Sequence, residues 1–279
     1  MNMINFLHTF HPNPILITLG PFDIYWYGVF IVVGNLLAFL IAFKLANYYK
    51  INKETIIDLV FWLIIGGIIG ARLYHILLEA SYYLNNPLDI FKIWQGGLAI
   101  HGAILAGLII VWQFCRKRKL NFWLISAIIV PGVALAQVVG RWGNYFNQEL
   151  FGKPTNLSWG IPIDIMNRPI EYLNNNFFHP TFLYESLSNF LIFLILITLH
   201  YLFIKNKIKC QVSNVRCQML IVISYLILYS ILRFFMEFLR TDPTYLIVGL
   251  RLPQIVSLLI IIGSLVILLP KLKKHANIQ

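Results

Sequence analysis

Seven apolar runs divide the chain, at about 24–43, 56–79, 97–114, 121–140, 183–204, 218–240 and 252–270. Roughly twenty apolar residues cross a hydrocarbon core as a helix, so each run predicts a membrane-spanning helix. The second run also carries Asp58, Arg72, His75 and Glu79, and the sixth carries Arg233 and Glu237. Most connections are short, which favours helices packed as neighbours. The exception is 141–182, which holds Pro154, Pro162, Pro169, Pro180 and an Asn174-Asn175-Asn176 run. It is too long for a turn and too polar for a span, and predicts a small head with functional loops. The expected fold is an all-α polytopic membrane protein: one integral membrane domain over 1–279, a bundle of seven transmembrane helices with 141–182 as an extracytoplasmic head.

Composition agrees: 59% of the residues are hydrophobic and 12% charged, against about 25% charged in soluble proteins. The net charge of +11 invites a nucleic-acid reading, but its distribution says otherwise. Fourteen Lys and Arg fall in one set of connections (44–53, 116–119, 205–216, 271–274) and six in the other (Lys92, Arg141, Lys153, Arg168, Arg240, Arg251). Cytoplasmic loops carry the excess of positive charge, so the N-terminus is expected outside and the C-terminus cytoplasmic. The basic residues are then a topology signal and an attraction to the inner leaflet, with no nucleic-acid partner. Cys115, Cys210 and Cys217 make no disulfide framework. The first fourteen residues lack Lys and Arg and contain Pro12 and Pro14, so no cleavable signal peptide is expected.

One stretch departs from the apolar pattern. Leu120 to Gly140 has no charged side chain, and GRWGNYFNQELFG follows at 140–152. With the topology above, Arg141 is expected to cap the outer end of the fourth helix. Tyr25, Trp26, Tyr27, Arg72, His75, His101, Tyr184, Glu185, Tyr229, Arg233, Glu237 and Arg240 fall at a similar outer depth on other helices. Taken singly, each has a structural explanation. The aromatic trio makes an interfacial belt, Arg233 and Glu237 neutralise each other at i, i+4, and Arg72 snorkels toward Glu79 or the surface. A lone His101 is a packing residue, and His200, near the inner end with no evident partner, is structural. Charges at that depth are expensive, and their convergence favours a site. Arginines match phosphate geometry with paired donors, and backbone N–H groups released at Gly140, Gly143 and Gly152 are expected to supplement them. Imidazole accepts protons near neutral pH. No metal-ligand spacing, phosphate-cradling loop or nucleophile elbow occurs, so neither metal nor cofactor is expected. These residues predict binding of, and chemistry on, an anionic membrane lipid at the outer face, without naming the reaction.

GRWGNYFNQELFG resembles the signature of the bacterial prolipoprotein diacylglyceryl transferases. YWYG at 25–28, GARLYHILL at 70–78, WQGGLAIHGAILAG at 94–107, HPTFLYE at 179–185 and LRFFMEFLR at 232–240 match further pieces in order, so the resemblance runs from about Ile15 to Leu269. It implies a multi-pass enzyme of the bacterial inner membrane, its active site toward the outer leaflet. The implied reaction moves the diacylglyceryl group of phosphatidylglycerol to the lipobox cysteine thiol of a prolipoprotein, and glycerol phosphate leaves. By the same resemblance Arg141 and Arg233 hold the lipid phosphate and His101 is the base for the thiol. Tyr27, Asn144, Gly152 and Tyr229 match other functional positions, and Glu149, Glu237 and Arg240 fit the same polar cavity. Two positions depart from the pattern: Ala103 stands for a Gly beside His101, and Ala127 for a frequent Asp. Two alternatives stay open from residues alone: an anion transporter or channel using the same arginines, and a non-catalytic lipid-binding protein.

Overall fold

The computed structural model describes residues 3–205 and 215–276. A short helix α1 (Met3–Thr9) and a hairpin of β1 (Ile15–Leu19) and β2 (Phe22–Tyr25) precede the long helices α2 (Trp26–Tyr48) and α3 (Lys53–Leu78). A short α4 (Ala80–Asn85) and two 3₁₀ turns lead to α5 (Ile100–Arg118) and α6 (Phe122–Phe146). Then come β3 (Ile161–Pro162), β4 (Phe177–Phe178), α7 (Thr181–Ile204), α8 (Val215–Met236), the hairpin β5 (Leu246–Ile247)–β6 (Leu250–Arg251), and α9 (Leu252–Ala276). Among the described residues six helices, α2, α3 and α5 to α8, are long and apolar enough to cross a membrane. The apolar part of α9, Leu252–Leu268, falls short of that length. Lys207 and Lys209, counted above with the inner connections, and Cys210 lie outside the described residues. Cys115 is free and buried.

Two compact units make up the chain, residues 42–128 and the remainder. In the first, α3 and α5 cross at glycines: a Cβ on Gly102 would lie 2.2 Å from the Gly70 carbonyl oxygen, and one on Gly70 2.4 Å from the Ala106 methyl. Small residues at a crossing let backbones touch where lipid offers no hydrophobic drive. α5 starts at Ile100 rather than at 97 because Gly96 and Gly97 take φ of 92° and 72° and unwind the chain. Arg72, for which snorkelling was the structural alternative to a place in the site, turns back onto that unwound loop. Its guanidinium donates to the carbonyls of Asp89, Ile90 (2.9 Å), Gly96 (2.7 Å) and Gly97 (3.0 Å) and stacks over Tyr83. Four loop carbonyls, of which that of Asp89 also accepts the Lys92 N–H, supply the reason, so Arg72 is a loop clamp. Ala127 is fully buried, packed where a carboxylate would have needed a partner.

In the second unit α2 packs on α6 through Gly34 against Ala136 and Gly132 against Ala38. The fourth apolar run ends at 140, yet α6 continues to Phe146, with Pro131 inside it. Arg141 therefore lies within a helix rather than at its cap, and Gly140 and Gly143 release no free N–H groups. Glycine lowers helix propensity in water by about 1 kcal/mol, but at Gly143 the missing side chain makes room for the Tyr27 ring, which a Cβ would meet at 2.6 Å. Beyond α6 a small apolar core gathers Tyr145, Phe151, Ile161, Ile163, Phe178 and Phe182 around Leu7 of α1. Gln148, buried at φ 50°, fastens it, accepting from the Asp164 N–H (2.7 Å) and donating to Asp164 Oδ2 (2.6 Å) and the Pro12 carbonyl (3.2 Å). The N-terminal segment thus belongs to the core of the 141–182 region, which its unpatterned sequence did not announce.

The glycine crossing sets a test. Gly102→Ala forces the Gly70 backbone away, and overpacking of this kind costs about 1–3 kcal/mol. A lower unfolding temperature in detergent is expected; an unchanged one would mean that the helices do not meet at these glycines.

Candidate active site

α6, α7 and α8 each deliver one charged residue to a common point, and the turn after α8 adds more. Arg141 and Asn144 share a face of α6 at i, i+3. The Arg141 Nη2 pairs with Glu185 Oε2 at 2.6 Å, while its Nη1 donates to Asn144 Oδ1 at 3.3 Å. The Asn144 amide is thereby oriented to donate to Glu149 Oε1 at 2.7 Å. Glu185, in the first turns of α7, is 3% exposed and also takes Arg240 Nη1 at 3.4 Å and Arg233 Nη1 at 3.9 Å on its other oxygen.

A second layer holds those arginines from behind. Glu237, completely buried, pairs with Arg233 one turn earlier and with Arg251 Nε at 2.7 Å. Asp242 accepts from Arg240 Nε at 2.7 Å and meets Arg251 Nη2 at 3.4 Å. Arg251 further donates to the carbonyls of Arg240 and Asp242, at 3.1 and 2.7 Å. Burial works against the Arg240 charge, but the Asp242 hydrogen bond and the nearby carboxylates outweigh it, so its pKa is raised. Each removal from this network would strand a desolvated partner.

Gly152 serves backbone geometry. Its N–H donates to the His179 carbonyl at 2.9 Å and it bridges Arg240 in antiparallel register, next to the Lys153 N–H bond to Leu239 at 2.7 Å. Thr181 Oγ1 donates to the Leu150 carbonyl. The turn leading in is strained, with Gln148 and Leu150 at φ 50° and 56°; non-glycine residues in that region cluster at functional sites. Burial lowers the His179 pKa; its Nδ1 is 3.2 Å from the Tyr184 hydroxyl, and that hydroxyl accepts from Trp159 Nε1 at 2.8 Å.

The unit around α6 to α8 thus brings together Arg141, Arg233, Arg240, Glu237, Asn144 and Glu149, with Gly152 and Tyr27 packed beside them. Tyr229, one turn before Arg233, stacks on Tyr225, whose hydroxyl donates to Gln137 at 3.2 Å. His101 belongs to the other compact unit, exposed at the start of α5 with Tyr74 as its ring neighbour at 6.0 Å. Glu185, Asp242 and Arg251 did not stand out as partners in the sequence. HPTFLYE and the isolated carboxylate opening an apolar helix were the available signal for Glu185. The spans are less apolar than expected too: Asn189, His200 and Gln218 are buried, and His200 is engaged rather than lone.

A profile of the prolipoprotein diacylglyceryl transferases matches residues 14–270. The chain belongs to this family. Relatives named phosphatidylglycerol–prolipoprotein diacylglyceryl transferase include that of Finegoldia magna, 45% identical over 255 residues covering 91% of this chain and 93% of the relative. That of Synechococcus elongatus is 42% identical over 250 residues, 90% and 84% of the two chains. That of Prochlorococcus marinus subsp. pastoris is 38% identical over 288 residues, 95% of each. Nothing in these matches supports the anion transporter or channel reading. In this diacylglyceryl transferase family member the 140–152 motif is a helix end, which carries Arg141 and Asn144, followed by a turn with Gln148 and Leu150 at positive φ.

Gly152 offers a clean perturbation, because replacing it removes no chemical group. A Cβ there would lie 2.7 Å from the His179 Cβ and 3.2 Å from the Leu239 carbonyl oxygen. Gly152→Ala is expected to lower kcat and thermal stability together; full activity would show that the bridge to Arg240 does not position the arginines.

Proposed function

We propose that this protein transfers the diacylglyceryl group of phosphatidylglycerol to the lipobox cysteine thiol of a prolipoprotein, forming a thioether and releasing glycerol phosphate. The carrying observation is the convergence of Arg141, Arg233 and Arg240 on one buried carboxylate in a chain that matches the family from 14 to 270. In the proposed topology α9 completes seven spans, the excess of positive connections is cytoplasmic, and 141–182 is an outer head on a single integral membrane domain. The site then faces the outer leaflet of the bacterial inner membrane, at the level of lipid head groups.

The sulfur attacks the glycerol carbon that carries the phosphate ester. A C–S bond forms, the C–O bond breaks, and the phosphate oxygen keeps the electron pair. A free thiol has a pKa near about 8.5 and is mostly protonated at neutral pH, so a base must take its proton; His101 is that base. Arg141 and Arg233 bind the phosphate and stabilise the charge that grows on it. Glu237 orients Arg233, Asn144 and Tyr27 position the glycerol, and Glu149, Gly152, Tyr229 and Arg240 complete the polar surroundings. Arginine suits this role because its fork gives two parallel donors and it stays charged in a poorly hydrated site.

The decisive assay supplies phosphatidylglycerol and a lipobox peptide and measures the mass of the peptide cysteine. A diacylglyceryl increment is expected. Intact protein that leaves the peptide unmodified, under conditions where a relative succeeds, would defeat the proposal. Arg141→Lys keeps charge but not fork geometry, and a loss of roughly 10²-fold or more in kcat is expected, the scale of losing one transition-state donor. His101→Asn preserves a polar side chain without a base. General bases contribute about 10²–10⁴-fold, and retention of most turnover would assign His101 to positioning instead.

A further inference from the structure

Glu185 has no part in the proton or phosphate chemistry above, yet it is the anion around which the arginines close. Its side chain is 4% exposed and meets Arg141 at 2.6 Å, Arg240 at 3.4 Å and Arg233 at 3.9 Å. Glu237 answers Arg233 and Arg251, and Asp242 answers Arg240 and Arg251. Four arginines joined by ion pairs therefore face three carboxylates, a formal excess of one positive charge. Glu149 stands outside this set: it is exposed and is tied to Asn144 rather than to an arginine.

We propose that Glu185 is a charge-selecting positioning residue, which sets this cluster for a singly charged phosphodiester and against a doubly charged phosphomonoester. The inference rests on the transferase reading. A lipid phosphodiester carries one negative charge, which the excess of one positive charge balances. Once the glycerol C–O bond breaks, the phosphate leaves as a monoester with a second pKa of about 6, so at neutral pH it carries nearly two charges. The second charge is opposed by Glu185 at the same two arginines that bound the substrate. Opposition between like charges that share the same arginines favours departure of the product over its retention. A neutral side chain at 185 would leave two excess positive charges and hold the monoester.

The test uses the full-length protein in detergent, with phosphatidylglycerol and a lipobox peptide as substrates. Glycerol phosphate and a soluble phosphodiester of glycerol serve as competing inhibitors. Wild-type protein is expected to be inhibited no more strongly by the monoester than by the diester. Glu185→Gln should keep a KM for the lipid near that of wild type and lose kcat. Its sensitivity to the monoester should rise by about tenfold or more, a modest estimate for one unit charge within a few ångströms at low dielectric, and its sensitivity to the diester should rise less. Glu185→Asp should recover the wild-type selectivity. A Glu185→Gln protein whose two inhibition constants move equally, or not at all, would overturn the inference and leave Glu185 structural. Should Glu185→Gln fail to fold, the wild type decides: equal or weaker inhibition by the monoester supports the inference, and preferential inhibition by it overturns it. Wild-type protein that cannot modify the peptide defeats the transferase reading itself, whereas transfer with unaltered selectivity in the variant defeats only this step.

Discussion

Everything around the site depends on sharing one carboxylate among three guanidinium groups. Desolvating a charge costs several kcal/mol per ion even after relaxation, about the scale that makes unpaired buried charges rare. Four arginines gathered between apolar helices would repel one another and unwind the helix ends. Glu185, Glu237 and Asp242 remove that conflict by pairing each arginine at least once and most of them twice. The carboxylates come from α7, from the end of α8 and from the turn beyond it, so electrostatic closure and helix packing are one event. Past Met236, where α8 ends, the backbone tightens to i→i−3 bonds at Phe238 and Leu239, and Arg240 follows that turn.

The backbone makes the same compromise at the other end of α6. Continuing the helix to Phe146 holds Arg141 and Asn144 on one face, which a frayed end would not. The helix then has to return its chain to α8 within a few residues. Gln148 and Leu150 absorb that reversal at positive φ, and Gln148 offsets the strain with three side-chain bonds to the Asp164 and Pro12 region. Gly152 then slips between His179 and Leu239. A motif that reads as an interruption of apolar sequence is in fact two devices in series, one rigid and one strained.

This division explains what the amino-acid order disclosed. The apolar runs gave six helices to within a few residues, because length and hydropathy are local properties. Arg141, Arg233 and Glu237 were visible because a charge inside such a run is costly wherever it lies. Glu185 was noted but not weighted, since nothing in the order of residues shows that three arginines from two other segments end beside it. Arg251 and Asp242 were hidden by their place in a connection, where charge reports topology rather than a site. Arg72 looked like a site residue because its partners are backbone carbonyls, which any sequence could supply. Gln148 and Gly140 were grouped with the polar motif, although one is a clamp and the other a plain helix residue. Pairing across segments, not residue type, is the information that the chain conceals.

Preorganisation follows from the same pairing. In water, a phosphate that gains charge is met by solvent that must reorient. Here Arg233 is fixed from behind by Glu237, and Arg240 and Arg251 by Asp242, before any ligand arrives. Donors held in place cost no reorganisation when charge develops, and fixed donors in a dry site are the strongest electrostatic contribution that proteins make to catalysis. Yet a cluster that attracted anions without limit would keep them. The buried carboxylates therefore act in two directions: they make it possible to assemble four arginines in an apolar surround, and they hold the excess charge to the level that one phosphodiester requires.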